Sequence, residues 1–537
     1  MHSTLQPFTS YELSTAQLSA LAFVAFLVAL AWHYRDGRAI GTRPRPDLFA
    51  PPGQSTFLLG DLIPLVKNVD RALERFLDIK REYADEFAKN PARAMTMTVP
   101  GRRMIEVGRP ELLEHVQKRN FSNYVKGQQF HDNLAPLLGH DGIFVADGAV
   151  WTLARKTTAK IFTAHNFKGV ITASLETNLQ KLLAVIGRHA DRGEDFDLSA
   201  LFFRFTLNSF AEMAFGQDLH ALSTESDAPI PFAAAFDEAQ VISNARFTNP
   251  LWPITEFFTG ERAKMREATK VLDDFAYRVI DEREREGRGN FVGSEKKEAA
   301  DKDLLSLYMA LRDENGAPLT RTMLRNAILN LIIAGRDTTA QALSWTMFHL
   351  MRHDEHFQSL RKEADQTGSV DYDSFKNLVT TTACFQEGLR LHPSVPKNGW
   401  EALGDDVLPN GTRIEKGDTV FWSDWIMARD TSIWGPDAGE FNPDRWVDAD
   451  GSLKKESQWK AHAFNGGYRL CLGQNLALYE GTSVLAAIAR EFNFAFADNY
   501  LETTQMCDNE FTPKYKGALT LSMAAPFMVR ATRRKAQ

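Results

Sequence analysis

Cysteine is scarce in this sequence. Only three occur in 537 residues, Cys384, Cys471 and Cys507. So few, and an odd number, exclude a disulfide-stapled scaffold and fit a reducing compartment. There is no CxxC pair and no Cys/His cluster with zinc spacing. Excess positive charge is also absent: 62 Lys and Arg stand against 69 Asp and Glu, a net charge of −7. No global basic field would recruit nucleic acid. Internal repeats are missing, as is any change of composition after the N-terminal region. What the chain does have is apolar bulk, 44% hydrophobic with 37 Phe and 10 Trp, enough for one large core.

The longest charge-free stretch lies near the start. Leu13 to Tyr34 carries no charge, and its apolar residues are densest from Leu18 to Trp32. A helix of this length approaches the ~30 Å of a bilayer's hydrocarbon. Arg35, Arg38, Arg43 and Arg45 follow at once, whereas only Glu12 precedes it. The positive-inside rule then leaves everything after residue 35 in the cytosol. A cleaved signal peptide would need the basic leading region that is missing here. Pro44, Pro46, Pro51, Pro52 and Gly53 predict a stiff hinge. The expected organisation is therefore a membrane anchor over 1–35, a basic Pro-rich hinge over 36–53, and one catalytic domain over 54–537. Glu282 to Lys302 reads as a solvated connection.

The chain is helix-rich, which predicts a mainly α fold with a small β region. Met95–Val99 and Met104–Val107 flank Pro100-Gly101 as a hairpin. Leu519–Val529 suggests a second small strand pair. Ala327–Ala334, AILNLIIA, is apolar nearly all round, so its helix should run through the interior.

One cysteine alone is usually a small buried apolar residue. Cys471 differs by its surroundings, Phe464-Asn-Gly-Gly-Tyr-Arg-Leu-Cys471-Leu-Gly473. Gly467 and Gly473 permit tight turns that bring backbone N–H groups to a sulfur. A helix beginning at Gln474 would aim its positive end at a thiolate. Ala334-Gly335-Arg336-Asp337-Thr338-Thr339 places small residues, then a carboxylate and a hydroxyl, inside the apolar helix. Such a pair can relay protons, and the threonine can disturb the helical ladder locally. Glu387 and Arg390 share a helix face at i,i+3; alone they would be a weak surface pair. Trp151 and Arg155 share another helix, whose Lys156 and Lys160 extend a basic face.

These segments resemble the cytochrome P-450 superfamily, the haem-thiolate monooxygenases. Phe464 to Gly473 matches the family's ligand loop FxxGxRxCxG at every fixed position, with Gly466 and Tyr468 where relatives often have alanine and proline. The resemblance implies haem b bound through Cys471 as axial ligand to the iron, with Phe464 beside the sulfur. It implies Arg469, Arg155 and Trp151 at the haem propionates, and Ala334 and Gly335 against the macrocycle. Asp337 and Thr338 would take the acid and alcohol roles in oxygen activation. Glu387, Arg390 and Arg445 would form a buried structural network behind the loop.

Finer likeness lies in Phe121-Ser-Asn-Tyr-Val-Lys-Gly127, Phe202-Phe-Arg-Phe-Thr206, Pro393-Ser-Val-Pro396 and Val407–Thr412. These look like the fungal alkane and fatty-acid and the plant fatty-acid ω-hydroxylases. The likeness implies O2-dependent hydroxylation of a long fatty acid or alkane at or near its end, since aliphatic recognition is mostly burial at about 0.8 kcal/mol per CH2. Ala334 stands where animal fatty-acid hydroxylases carry a glutamate, which rules out a haem ester there. Trp400 stands near a position often held by arginine, and would narrow the channel or line another. Phe247, Trp252, Phe257 and Phe258 are candidates for the roof of the access route. Electrons are expected from NADPH through a separate NADPH–cytochrome P-450 reductase, with cytochrome b5 as an optional donor, at the endoplasmic reticulum membrane. The other readings are a monooxygenase of a secondary metabolite, terpenoid or aromatic xenobiotic, a haem-thiolate isomerase or dehydratase, and a non-enzymatic haem binder.

Overall fold

The computed structural model describes residues 14–160, 162–163, 167–223, 230–285, 303–312, 316–368, 370–507 and 512–535. The first element is helix α1 (Thr15–His33), whose N-terminus is closed by Ser14 and Gln17 in a reciprocal capping box. Among the described residues no helix is long and apolar enough to cross a membrane. The expected spanning helix is therefore not met. Thr15, Gln17 and Ser19 occupy its first turns, and the apolar run Leu18–Trp32 covers only about 22 Å at ~1.5 Å per residue. Leu18, Leu21, Phe23, Val24, Phe26 and Val28 nonetheless lie exposed.

The segment 36–53, expected as a stiff hinge, packs against the domain. Ala39, Leu48 and Phe49 are buried, Phe49 bridges Met95, and Arg45 pairs with Asp47 at 2.8 Å and Asp418 at 3.2 Å. Of the expected solvated connection, Glu282–Arg285 ends the helix Glu261–Arg285 and residues 286–302 lie outside the described set.

The main sheet has five strands: β1 (Thr96–Val99), β2 (Arg102–Glu106), β3 (Tyr124–Val125), β4 (Asn398–Ala402) and β5 (Thr419–Trp422). Their spatial order is β1-β2-β5-β4-β3. The first two form the expected hairpin, Thr96 opposite Ile105. β5 runs parallel to β2 and antiparallel to β4, which puts Trp400 opposite Val420. Thr, Val, Ile and Trp suit this half-buried pleated surface, and Ile105, Val420, Trp400 and Trp422 are all but fully buried in it. The second sheet departs from expectation. Its C-terminal strand is Met528–Arg533, paired with Phe492–Phe496 and Asp195–Asp197. Leu519–Met523 makes only the bridge Tyr515–Met523, because Gly517 and Pro526 interrupt a continuous ladder.

Helices carry the rest. Those that frame the site are α2 (Gln128–Leu138), α3 (Gly148–Ala159), α4 (Leu198–Phe215), α5 (Pro231–Ala245), α6 (Arg321–Ile332), α7 (Thr338–Arg352), α8 (Val379–Leu391) and α9 (Gln474–Glu491). The apolar run predicted to cross the interior does so. α6 and α7 form one path through the core, joined by a π-helical turn at Ile333–Asp337. Packed about α7 are α4, α8 and α9, burying Phe202, Phe205, Trp345, Phe348 and Phe385. Each such ring contributes roughly 1.5–3 kcal/mol of transfer free energy.

Candidate active site

The Cys471 loop is closed by its own backbone. The Cys471 N–H donates to the Phe464 carbonyl at 2.8 Å, and Asn465 takes a left-handed turn at φ 65°. Gly467 also has positive φ, and a Cβ there would lie 2.4 Å from the Gln117 carbonyl oxygen. At Gly466 a Cβ would lie 2.3 Å from the Trp459 ring. That explains one departure from the family pattern: the indole occupies the space of an alanine methyl. At the other departure Tyr468 is 57% exposed and packs on Phe121 at 5.1 Å. Beneath the loop, buried His462 bonds Asp424 at 2.6 Å and Gln117 at 3.0 Å.

Gly473 has room for a side chain, its Cβ position being 3.8 Å from the Cys471 sulfur. Its contribution is an N–H bonded to that sulfur, at the start of α9. This N–H and the Arg155 charge lower the thiol pKa, but burial is larger and raises it overall. The side chain nevertheless carries open surface. Both facts hold if the sulfur faces an interior cavity rather than bulk water.

The opposite wall is the π turn. Ala334, Gly335 and Thr338 are half-buried where almost every neighbour is fully buried. Thr338 Oγ1 donates to the Ala334 carbonyl at 2.6 Å, the i−4 back-bond that loosens a helix. Gly335 serves a purpose the sequence did not reveal: a Cβ there would lie 2.0 Å from Phe210 of α4, so its smallness is required for helix packing. Asp337 is not in contact with Thr338's hydroxyl. Its carboxylate is buried on the other side, accepting from Gln240 of α5 at 2.7 Å and Arg336 at 3.0 Å. Arg336 in turn reaches exposed Asp237 at 2.6 Å. Burial pushes the Asp337 carboxyl up to about 6, against the pull of Arg336.

The arginines singled out from sequence converge, with partners that sequence missed. Arg469 bonds Asp147 at 2.7 Å and the Ala146 carbonyl at 3.0 Å, and lies over Trp151 at 4.5 Å. Arg155, one turn along α3 from Trp151, lies over the same ring at 5.7 Å and has no carboxylate partner among the described residues. Lys126 joins them: its backbone N–H donates to Asp147 and its ammonium to Asn398 at 3.2 Å. Burial and the Arg469 charge push Lys126 down to about 7, and burial takes Arg469 to about 10. Arg469 alone pairs with Asp147, while Arg155 and the Lys126 ammonium have no carboxylate partner among the described residues. Unpaired buried charge is costly, so this cluster suits a ligand that brings two carboxylates, as haem does in its propionates. Asp147 and Lys126 lie in loops without a family spacing to mark them.

Behind the loop, Glu387 is completely buried and fully bonded. Arg390 grips it with two bonds of 2.8 Å, Arg445 and Asn442 N donate at 2.9 Å each, and Trp446 Nε1 at 2.8 Å. Trp400, expected to line a channel, is core instead. It is 1% exposed between Phe121, Trp422 and Lys126. Of the expected roof, Phe247 packs on Phe130, while Phe257 and Phe258 project outward beside exposed Leu251 and Ile254.

Comparison with known proteins agrees with this arrangement. The family model for cytochrome P450 matches residues 63–519. Cytochrome P450 monooxygenase cyp1 of Mycosarcoma maydis is 42% identical over 521 residues, spanning 94% of this chain and 78% of that protein. Cytochrome P450 86B1 of Arabidopsis thaliana is 37% identical over 403 residues, 71% of each chain. Cytochrome P450 94B1 of the same plant is 30% identical over 493 residues, 89% of this chain and 90% of its own.

Proposed function

This chain belongs to the cytochrome P450 family, and on that premise we propose that it hydroxylates a long-chain fatty acid or alkane at or near the chain end. As a family member it is a monooxygenase that uses haem-thiolate iron, O2 and electrons passed from NADPH by a reductase. The bound haem supplies oxygen activation, which a thiolate ligand favours by donating electron density to the iron.

In this reading Cys471 is the ligand, with its sulfur held by the Gly473 N–H at the head of α9. Lys126, Arg155 and Arg469 hold the propionates, with Trp151 under the two guanidinium groups. Phe464 shields the sulfur, and Ala334 and Gly335 face the macrocycle. Thr338 offers its hydroxyl to the oxygen side, and Asp337, across the turn with a carboxyl near neutrality, takes the acid role, with Arg336 and Asp237 linking it to solvent. Glu387, Arg390 and Arg445 keep the loop's base rigid. The observation that carries the reading is the Cys471 loop closed at the head of α9, with Arg155 and Arg469 both stacked over Trp151 beside it. Support for the aliphatic substrate comes from the resemblance in Phe121–Gly127, Phe202–Thr206 and Pro393–Pro396.

The exposed apolar faces of α1 and of the helix Trp252–Thr259 support placement at the endoplasmic reticulum membrane, the domain in the cytosol. The test is product analysis. Haem-loaded protein, NADPH–cytochrome P-450 reductase and O2 should convert hexadecanoate or hexadecane to alcohols at or near the terminus. Conversion of terpenoids or aromatics alone would overturn the aliphatic reading. A Cys471→Ser protein that kept the thiolate-type spectrum of the reduced CO complex would overturn the ligand.

A further inference from the structure

Beside the Glu387 network lies a cavity of about 390 Å³, within the range of small-molecule sites. Its body is apolar: Leu389 of α8, Pro393 just after it, Leu478 of α9, and Phe464 and Leu470 of the Cys471 loop line it. Past Pro393 the chain reaches Ser394, whose hydroxyl donates to the Thr338 carbonyl at 2.7 Å. The cavity is thereby tied to the π turn, yet none of Cys471, Ala334 and Thr338 lines it. A molecule held there is not presented to the sulfur, so the cavity takes an occupant other than the substrate.

Charge on the lining is lopsided. Lys454 and Lys460 share the Glu456 carboxylate at 2.9 and 3.0 Å. Lys455, also in the lining and exposed, makes no ion pair or hydrogen bond among the described residues. The other lining carboxylate, Asp424, is taken by His462 at 2.6 Å. Lys460 lies over the Trp434 ring at 4.6 Å, which brings an ammonium to the edge of the apolar wall. Polar groups of the wall are left over as well. The Trp434 indole N–H and the side-chain carbonyls of Gln386 and Asn465 have no hydrogen-bond partner among the described residues, and Trp434 is only 7% exposed. In a finished core such groups are paired. Here three residues that carry them line one cavity, beside lysines short of counter-ions, which points to an anionic guest.

We propose that this cavity is a second binding site, separate from the substrate's, for a small apolar carboxylate. Burial of the guest's hydrocarbon or aromatic body against Leu389, Leu470 and Leu478 supplies affinity. Charge-assisted hydrogen bonds from Lys455 and Lys460 orient the carboxylate. The site stands independently of the aliphatic reading, and no covalent step is involved.

The test is calorimetric titration of haem-loaded full-length protein with 2-naphthoate and with its uncharged counterpart, 2-naphthylmethanol, while the haem absorption band is followed in parallel. Wild type should bind one naphthoate per chain, about ten-fold tighter than the alcohol, without shifting the haem band. Lys455→Met with Lys460→Met should weaken naphthoate about ten-fold and the alcohol by less than about two-fold. Lys455→Met alone, at an exposed position, should weaken naphthoate about three-fold, and Lys455→Arg should keep most of the affinity. No saturable heat with naphthoate overturns the proposal and leaves the cavity to solvent. Naphthoate and alcohol bound alike overturns the carboxylate. A naphthoate-induced shift of the haem band that survives the lysine changes overturns the site in favour of binding beside the haem.

Discussion

Two charged regions flank the Cys471 loop and are built on opposite terms. Behind the loop, Glu387 meets five donor contacts from Arg390, Arg445, Trp446 and Asn442, and the protein closes its own account of charge there. On its other flank Arg469 pairs with Asp147, while Arg155 and the Lys126 ammonium have no carboxylate partner among the described residues. The contrast teaches how to separate scaffold from binding site: buried charge that is satisfied within the chain holds shape, and buried charge left over awaits a ligand.

The comparison can be broken most sharply at Glu387. Glu387→Gln should cost about 3–5 kcal/mol, because the buried Arg390 guanidinium loses its counter-ion and Arg445 keeps only Asp437; chemical denaturation of haem-free and haem-loaded protein reads it. A loss confined to the haem-loaded form would mean that this network, too, serves the ligand. Next in size is Gly466→Ala, which should cost about 1–3 kcal/mol by overpacking against Trp459. A second change, Trp459→Leu, should recover part of it, as a double-mutant cycle would register.

Lys126→Met should have opposite effects in the two states. The folded-state pKa of Lys126 is below that of a free lysine, so its penalty is absent above about 10.5 and grows as pH falls toward 7. Removing the charge should raise the melting temperature of haem-free protein, more at pH 7 than at pH 9, by at most about 1.4 kcal/mol per pH unit. The same change should weaken haem retention. Stabilisation of both states would show that the excess charge has no ligand. The smallest effect is expected at Asp337, whose carboxyl titrates near 6. Proton delivery should decline as pH rises above that value, and Asp337→Asn should flatten the profile of product formed per NADPH between pH 5.5 and 8.

Sequence made the site's first members legible because their spacing is rigid. Cys471, Phe464 and Arg469 lie within one loop, Glu387 and Arg390 on one helix face, Trp151 and Arg155 on another. The interior helix was legible from its apolar composition. What escaped was whatever depends on elements meeting across the fold. Asp147 and Lys126 come together only through the backbone of a loop; Phe210 dictates Gly335 from a different helix; Trp459 dictates Gly466 from a turn upstream. The direction of Asp337 was hidden as well, since neighbours in sequence need not point the same way around a π turn. At the N-terminus, an absence of charge suggested a longer apolar run than the polar first turns of α1 leave.

The bond from the Ser394 hydroxyl to the Thr338 carbonyl joins the cavity's side wall to the helix that bears the oxygen-facing hydroxyl. The segment after α8 and the turn that carries Thr338 are thereby tied by a direct bond, so neither shifts without the other moving or the bond breaking.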